Sequence, residues 1–307
     1  MLDGDLSDTE IAETLIEIAE RGESAAEVAG AIKAMRARMR PVSAPDGAID
    51  VCGTGGDGQH SLNVSTAVAL VVAACEVPVA KHGNRAASSK AGGADTLEAL
   101  GLNLARASEM AEQTLDDLGI AFLFAQAHHP ALARIAPIRK ALGRRTIFNL
   151  LGPLANPAGV RRQLVGVAQP DLIALYRDAM QLLGTEAALI VSGAEGLDEL
   201  SIAGTSYMAA IGLPGMPAEI RPDDVGLLPH SLEDLRGGDA TFNAAALARL
   251  LAGEHGAYRD AVLLNSAAAL IVAGAVEDWF EGVEEAAEAL DKGLAKTLLD
   301  CWIEMVK

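Results

Sequence analysis

Residues 52–58 read CGTGGDG, four glycines around Thr54 and Asp57, directly after a short apolar run. Glycine lets a backbone come close to a ligand and takes positive φ without steric cost. Placed between a strand and a helix, such a turn offers amide N–H groups and a helix N-terminus to an anion. The stretch is not a GxxxxGK[ST] loop, and its spacing does not give the dinucleotide fingerprint. It carries Asp57 where phosphate-cradling loops often carry lysine, so positive charge has to come from elsewhere. The next motif is Asn63-Val64-Ser65-Thr66, which opens a helix with three side chains able to cap it or to bond a ligand phosphate. Ser65 is also within the range of types that ligate a hard cation.

Positive charge is supplied by KHGNRAASSKAGGAD, residues 81–95. Lys81, Arg85 and Lys90 stand together at a strand end in an otherwise acidic chain. Asn84, Ser88 and Ser89 add neutral donors, and Gly83, Gly92 and Gly93 permit close approach. Ligand binding explains this density of donors better than a solvated loop does. His82 taken alone reads as a structural histidine, with an acid/base role as the weaker alternative. Asp198 and Glu199, adjacent in GLDEL, follow another apolar run; on such a loop they suit solvent or Mg²⁺, which takes one or two carboxylates plus substrate phosphate oxygens. Residues 133–145 hold five basic side chains and no acid. Most fit a helix surface, but one guanidinium could fork a ligand carboxylate. No GxSxG elbow and no Cys/His pair in triad context occurs.

The elements that position these residues follow from punctuation and periodicity. Ser7-x-x-Glu10 and Ser24-x-x-Glu27 are capping-box signatures, each followed by apolar residues at helical spacing. They predict two helices before a Pro/Gly linker at 41–47. From residue 48, short apolar runs at 48–52, 77–82, 120–125, 164–168 and 187–192 alternate with helical stretches, including one over 108–119. That alternation predicts an α/β fold with a mostly parallel central sheet covered by helices on both faces, plus a small all-helical domain. The expected division is residues 1–46 as the helical domain, joined by helices from 129–157, with 47–128 and 158–307 as the α/β domain. Ligands of such sheets bind at the carboxyl ends of the strands, where the glycine turn, residues 81–95 and GLDEL fall.

Composition excludes several classes. Half of the 307 residues are apolar and mean hydropathy is +0.25, enough for a large core, but aromatics are 3%, so Ala, Leu, Val and Ile must fill it. A formal charge of −18 argues against nucleic acid and anionic membranes as partners. Cys52, Cys75 and Cys301 have neither disulfide-framework nor zinc spacing. With no apolar run long enough to span a bilayer and no signal-peptide pattern, a cytoplasmic location is expected.

GTGGDG, NVST, KHGNRAASS, GGADTLEALG, HHPALARIAPIRKALGRRTIFNLLGPLANP and GLDE occur here in one order. In that order, over nearly the whole chain, the sequence resembles the anthranilate phosphoribosyltransferase family. The resemblance implies transfer of a phosphoribosyl group from 5-phospho-α-D-ribose 1-diphosphate to anthranilate, with Mg²⁺, two ions per site, in a homodimer. By motif it implies Gly53, Gly56, Asp57, Ser61, Asn63, Val64, Ser65 and Thr66 on the sugar diphosphate. Lys81, His82, Gly83, Asn84, Arg85, Ala86, Ala87, Ser88, Ser89 and Gly93 would form the other wall. Gly53, Asn84 and Arg139 would contact anthranilate, and Ser65, Asp198 and Glu199 would hold the metal. Departures from the family pattern are Gly93 in place of a small polar residue, Leu62 in place of phenylalanine and Gln126 in place of proline. A transferase with another aromatic acceptor is the nearest alternative; a nucleic-acid-binding paralogue would need a basic face.

Overall fold

A computed structural model describes residues 1–86 and 90–307. One seven-stranded sheet organises the chain: β1 (Ile49–Gly53), β2 (Val79–Gly83), β3 (Ile120–Phe124), β4 (Arg162–Gly166), β5 (Ala187–Gly193), β6 (Ser206–Ile211) and β7 (Glu219–Ile220). The order is β3-β2-β1-β4-β5-β6-β7. The first five strands are parallel, while β6 and β7 add antiparallel at one edge. Each of the five apolar runs became one of the parallel strands. The edge pair was not foreseen, because β6 alternates buried and exposed positions only loosely and β7 has two residues.

Both faces of the parallel strands are buried, and successive residues go to opposite layers. Ile49 and Val51 of β1 and Leu189 and Val191 of β5 pack with the helices Val64–Ala74, Ala257–Ala273, Trp279–Asp291 and Leu294–Met305. On the other face, Cys52, Val165, Ala188 and Ile190 share a core with Ile11, Leu15, Val28 and Ile32 of the N-terminal helices. The alanine-rich helix Ala257–Ala273 packs directly on β1, β4 and β5, and Trp279–Asp291 and Leu294–Met305 pack on the helices around it. Helices Asp8–Arg21 and Ala25–Arg36 begin with complete capping boxes at Ser7/Glu10 and Ser24/Glu27. The helix expected over 108–119 is two, Leu104–Glu109 and Ala111–Leu118, broken at Met110 where φ is −101° and ψ 14°. All three cysteines are free, and among the described residues no helix is long and apolar enough to cross a membrane.

Candidate active site

The carboxyl ends of β1, β2, β4 and β5 converge. Beyond β1, the Thr54 N–H donates to the Gly166 carbonyl at 3.0 Å and the Gly55 N–H to Asp198 Oδ2 at 2.6 Å, so the acid after β5 fastens the glycine turn. Gly55, Gly56 and Gly58 all take positive φ. Asp57 folds this loop on itself, its Oδ1 accepting from the Gln59 N–H at 3.1 Å, while its Oδ2 is buried without a partner. The question raised by an acid in this turn has a structural answer: Asp57 makes an Asx turn.

Helix Val64–Ala74 starts at the turn. The Ser65 N–H donates to Glu199 Oε1 at 3.0 Å, which puts a carboxylate on the helix N-terminus, a favourable place for negative charge. Glu199 Oε2 is buried and unpartnered. Three carboxyls thus crowd together. Burial, then the neighbouring Asp57 charge, pushes Asp198 up to about 7; burial and the Asp198 charge push Glu199 well above the usual carboxylate range. Gly53 and Gly166 are small for this reason. A Cβ on Gly53 would lie 2.2 Å from Asp198 Oδ2, and one on Gly166 only 1.6 Å from the Asp198 carbonyl oxygen.

Strand alternation separates Lys81 from His82. Lys81 is buried on the same face as helix Val64–Ala74; its Nζ donates to the Val51 carbonyl at 2.6 Å and to Ser65 Oγ at 3.2 Å. Burial lowers its pKa, opposed by the charges of Asp50, Glu199 and Asp198. His82 points to the opposite face, where its Nδ1–H donates to the Gly152 carbonyl at 3.0 Å and its ring meets His129 edge-on at 5.2 Å. Burial drops His82 to about 3, so it is neutral near pH 7 and a poor base. The backbone of this strand is pinned by Asp50, whose Oδ1 accepts from the His82 N–H at 3.0 Å and whose Oδ2 accepts from Asn156 at 2.8 Å.

The second loop is ordered largely by its own acids. Arg85 bonds Asp95 and Glu98, both at 2.8 Å, and lies over the Phe124 ring, so its charge is engaged within the loop. The Ala86 N–H donates to Asp95 Oδ2 at 3.0 Å, and Lys90 is exposed. Asn84 is exposed, with Gln126 Nε2 at 3.5 Å from its Oδ1. Gly93 abuts Thr66: a Cβ there would lie 2.8 Å from the Thr66 hydroxyl. Ala87, Ser88 and Ser89 lie outside the described residues. Ser61 pairs with Arg236 in an isolated antiparallel bridge. Arg139, on helix Ile135–Leu142, is half-buried, lies 5.5 Å over the Phe148 ring, and pairs with no carboxylate among the described residues.

Sequence reasoning missed several contributors. Asp50 had a signal, a charge in the middle of an apolar strand. Asn243, Tyr258 and Asn265 had none, being brought in from the C-terminal helices. Asn265 accepts from the Leu200 N–H at 2.9 Å and donates to the Leu200 carbonyl at 3.0 Å, fixing the backbone just after the acid pair.

A parallel sheet whose strand ends assemble a glycine turn, a buried lysine and paired acids is the architecture of a glycosyltransferase α/β domain. Residues 45–296 match the family described as "Glycosyl transferase family, a/b domain". Within it, the anthranilate phosphoribosyltransferase of Novosphingobium aromaticivorans is 65% identical over 305 residues, covering 99% of this chain and 92% of the relative. That of Sphingopyxis alaskensis is 63% identical, covering 99% and 92%. Among solved structures, the enzyme from Thermus thermophilus superposes with a TM-score of 0.92 at 42% identity, covering 99% and 92%. The Saccharomyces cerevisiae enzyme in complex with PRPP (phosphoribosyl diphosphate) and Mg superposes with 0.90 at 28% identity, covering 99% and 89%. The chain belongs to the anthranilate phosphoribosyltransferase family.

Proposed function

We propose that this enzyme transfers the 5-phosphoribosyl group of 5-phospho-α-D-ribose 1-diphosphate to the amino group of anthranilate, giving N-(5-phosphoribosyl)anthranilate and diphosphate, a step of tryptophan biosynthesis. The observation that carries this reading is the convergence of the glycine turn, Ser65, Lys81, Asp198 and Glu199 at adjacent strand ends. Gly53, Gly56, Asp57, Ser61 and residues 63–66 take the sugar diphosphate on one side and residues 81–86 with Gly93 on the other. Arg139 forks the anthranilate carboxylate, with Asn84 and Gly53 beside the ring.

Mg²⁺ suits the residues. Asp57 Oδ2 and Glu199 Oε2 are buried without partners, and crowded carboxyls held above their ordinary pKa are relieved by a cation. Among the described residues no three His, Cys, Asp or Glu side chains form a complete cage, and Mg²⁺ bound largely through phosphate oxygens needs none. Ser65, Asp198 and Glu199 would hold it, two ions per site. When bound, Mg²⁺ neutralises charge building on the departing diphosphate.

The chain's own residues do the rest. Lys81 and the amides of the glycine turn stabilise the leaving group. Arg139 and Asn84 orient the aromatic amine toward the anomeric carbon, and that positioning supplies much of the rate. An aromatic amine is already neutral near pH 7, so no strong base is required; His82, neutral and bonded to Gly152, orients the wall and moves no proton. The acting form is a homodimer in the cytoplasm, with residues 1–46 and 129–157 forming the helical unit. Purified protein mixed with anthranilate, phosphoribosyl diphosphate and Mg²⁺ should deplete anthranilate fluorescence only when all three are present. Depletion without the diphosphate, or none with folded protein, would reject the assignment. Transfer to a different aromatic acid alone would favour the alternative acceptor. The charge of −18 disfavours a nucleic-acid-binding role.

A further inference from the structure

Asn63 opens helix Val64–Ala74 yet does not cap it. An N-cap asparagine ordinarily turns its Oδ1 onto the second or third helical amide, here Ser65 or Thr66. Instead Asn63 Oδ1 accepts from the Thr96 hydroxyl and from Asn243 Nδ2 at 3.0 Å, and its Nδ2 donates to the Ala91 carbonyl at 3.2 Å. Its main-chain carbonyl accepts from the Tyr258 hydroxyl at 3.1 Å.

The Asn243 and Tyr258 partners come from a segment 180 and more residues away that lies along the diphosphate loop. The Leu62 N–H donates to the Leu235 carbonyl and the Gly237 N–H to the His60 carbonyl, both at 2.8 Å. A Cβ on Gly237 would lie 2.8 Å from the Ser61 carbonyl oxygen and 3.0 Å from Asn243 Oδ1, so the two segments approach at glycine distance. Asn243 is buried and oriented from both ends, since its Oδ1 accepts from the Gly238 N–H at 2.8 Å. Burial pushes the Tyr258 phenol up, which keeps its hydroxyl a donor.

We infer that Asn243 and Tyr258 are positioning residues for the sugar diphosphate, acting through Asn63: Tyr258 fixes its main chain, while Asn243 holds its side-chain amide off the helix N-terminus and leaves the first amides of that helix to other acceptors. The inference rests on the reading above, in which residues 53–66 bind the diphosphate. The Ser65 N–H on Glu199 illustrates what those amides are kept for. Without Asn243 the Asn63 amide keeps only its Thr96 and Ala91 contacts, and its Oδ1 can turn toward the Thr66 N–H and compete with the ligand.

The test is steady-state kinetics with both substrates, together with calorimetric binding of phosphoribosyl diphosphate, on N243A, Y258F, N63A and the double variant N63A/N243A. Loss of one such hydrogen bond corresponds to roughly three- to tenfold in affinity. N243A should raise KM and Kd for the diphosphate about tenfold and Y258F about threefold, with kcat and KM for anthranilate within about twofold. The double variant should be no worse than N63A, because Asn243 acts only through Asn63. Equal rises in both KM values, a fall in kcat alone, or additive losses in the double variant would overturn the inference. Y258F removes one hydroxyl and decides the matter if N243A does not fold. If the parent neither turns over nor binds the diphosphate, the functional reading fails first and this inference with it. A parent that is active while N243A binds the diphosphate normally overturns the inference alone.

Discussion

Gly166→Ala offers a severe test of how the acid loop is placed. Gly166 ends β4, and the Asp198 carbonyl oxygen sits where its Cβ would be, 1.6 Å away. Real Cβ contacts essentially never fall below 3.0 Å, so the Asp198 backbone must retreat by about 1.4 Å. It cannot retreat freely: the Asp198 carboxylate holds the Gly55 N–H, and Asn265 holds both the N–H and the carbonyl of Leu200. Overpacking of this kind costs on the order of 1–3 kcal/mol of stability, a loss of a few degrees in Tm for a chain of this size. Activity should suffer far more, because a 1 Å misplacement of catalytic machinery costs on the order of 10²-fold. The assay is kcat/KM for phosphoribosyl diphosphate at saturating anthranilate, with Tm measured on the same preparation. We expect a folded protein with kcat/KM down about a hundredfold and an increased Mg²⁺ requirement. Turnover within about threefold of the parent would refute the claim that this contact sets the acid loop.

Other perturbations separate the roles of individual groups. Arg139→Ala should raise KM for anthranilate by roughly ten- to a hundredfold with KM for the diphosphate nearly unchanged, since a bidentate charge-assisted contact is lost; an unchanged anthranilate KM would place the carboxylate elsewhere. The pH dependence of stability follows from Asp198, whose folded pKa of about 7 lies above its ordinary 3.8. The folded state keeps a proton there that the unfolded chain releases, so this stabilisation is full below about pH 4 and lost as pH rises to about 7. His82, held at about 3 against an ordinary 6.5, acts with the opposite sign, its contribution present above 6.5 and lost as pH falls. The acid's share is therefore read as a difference in urea midpoint between Asp198→Asn and the parent without metal: the variant's advantage should be larger at pH 8 than at pH 5, and the reverse order would contradict the crowded-carboxyl account. His82→Gln should lower Tm while leaving the pH profile of kcat without a lost limb between pH 6 and 8; disappearance of such a limb would make His82 a proton-transfer group after all.

Much of this was legible in the sequence for definite reasons. Buried parallel strands read as continuous apolar runs, so β1 to β5 stood out and the glycine turn fell at a strand end. Capping boxes gave Ser7 and Ser24 because the cap is made within four residues. The strand period of two separates Lys81, aimed at Ser65, from His82, aimed at Gly152, although which face was which needed the fold. Arg85 read as a ligand cation, and spacing did not announce that its guanidinium also pairs with Asp95 and Glu98, ten and thirteen residues on. Asp57 read as an acid on the sugar diphosphate, and it also forms the turn of its own loop through the Gln59 N–H two residues on. Asn243, Tyr258 and Asn265 were illegible because their partners lie 65 to 195 residues away. Spacing along a chain carries no record of contacts at that separation.

The central claim is that this cleft joins a phosphoribosyl group to anthranilate. It is tested most directly by quantifying both products of one reaction: diphosphate by a coupled assay and N-(5-phosphoribosyl)anthranilate by mass spectrometry. The account predicts equimolar formation of the two, dependent on Mg²⁺ and abolished in the Asp198→Ala/Glu199→Ala double variant. Diphosphate released without the adduct, or adduct formed undiminished by the double variant, would contradict it.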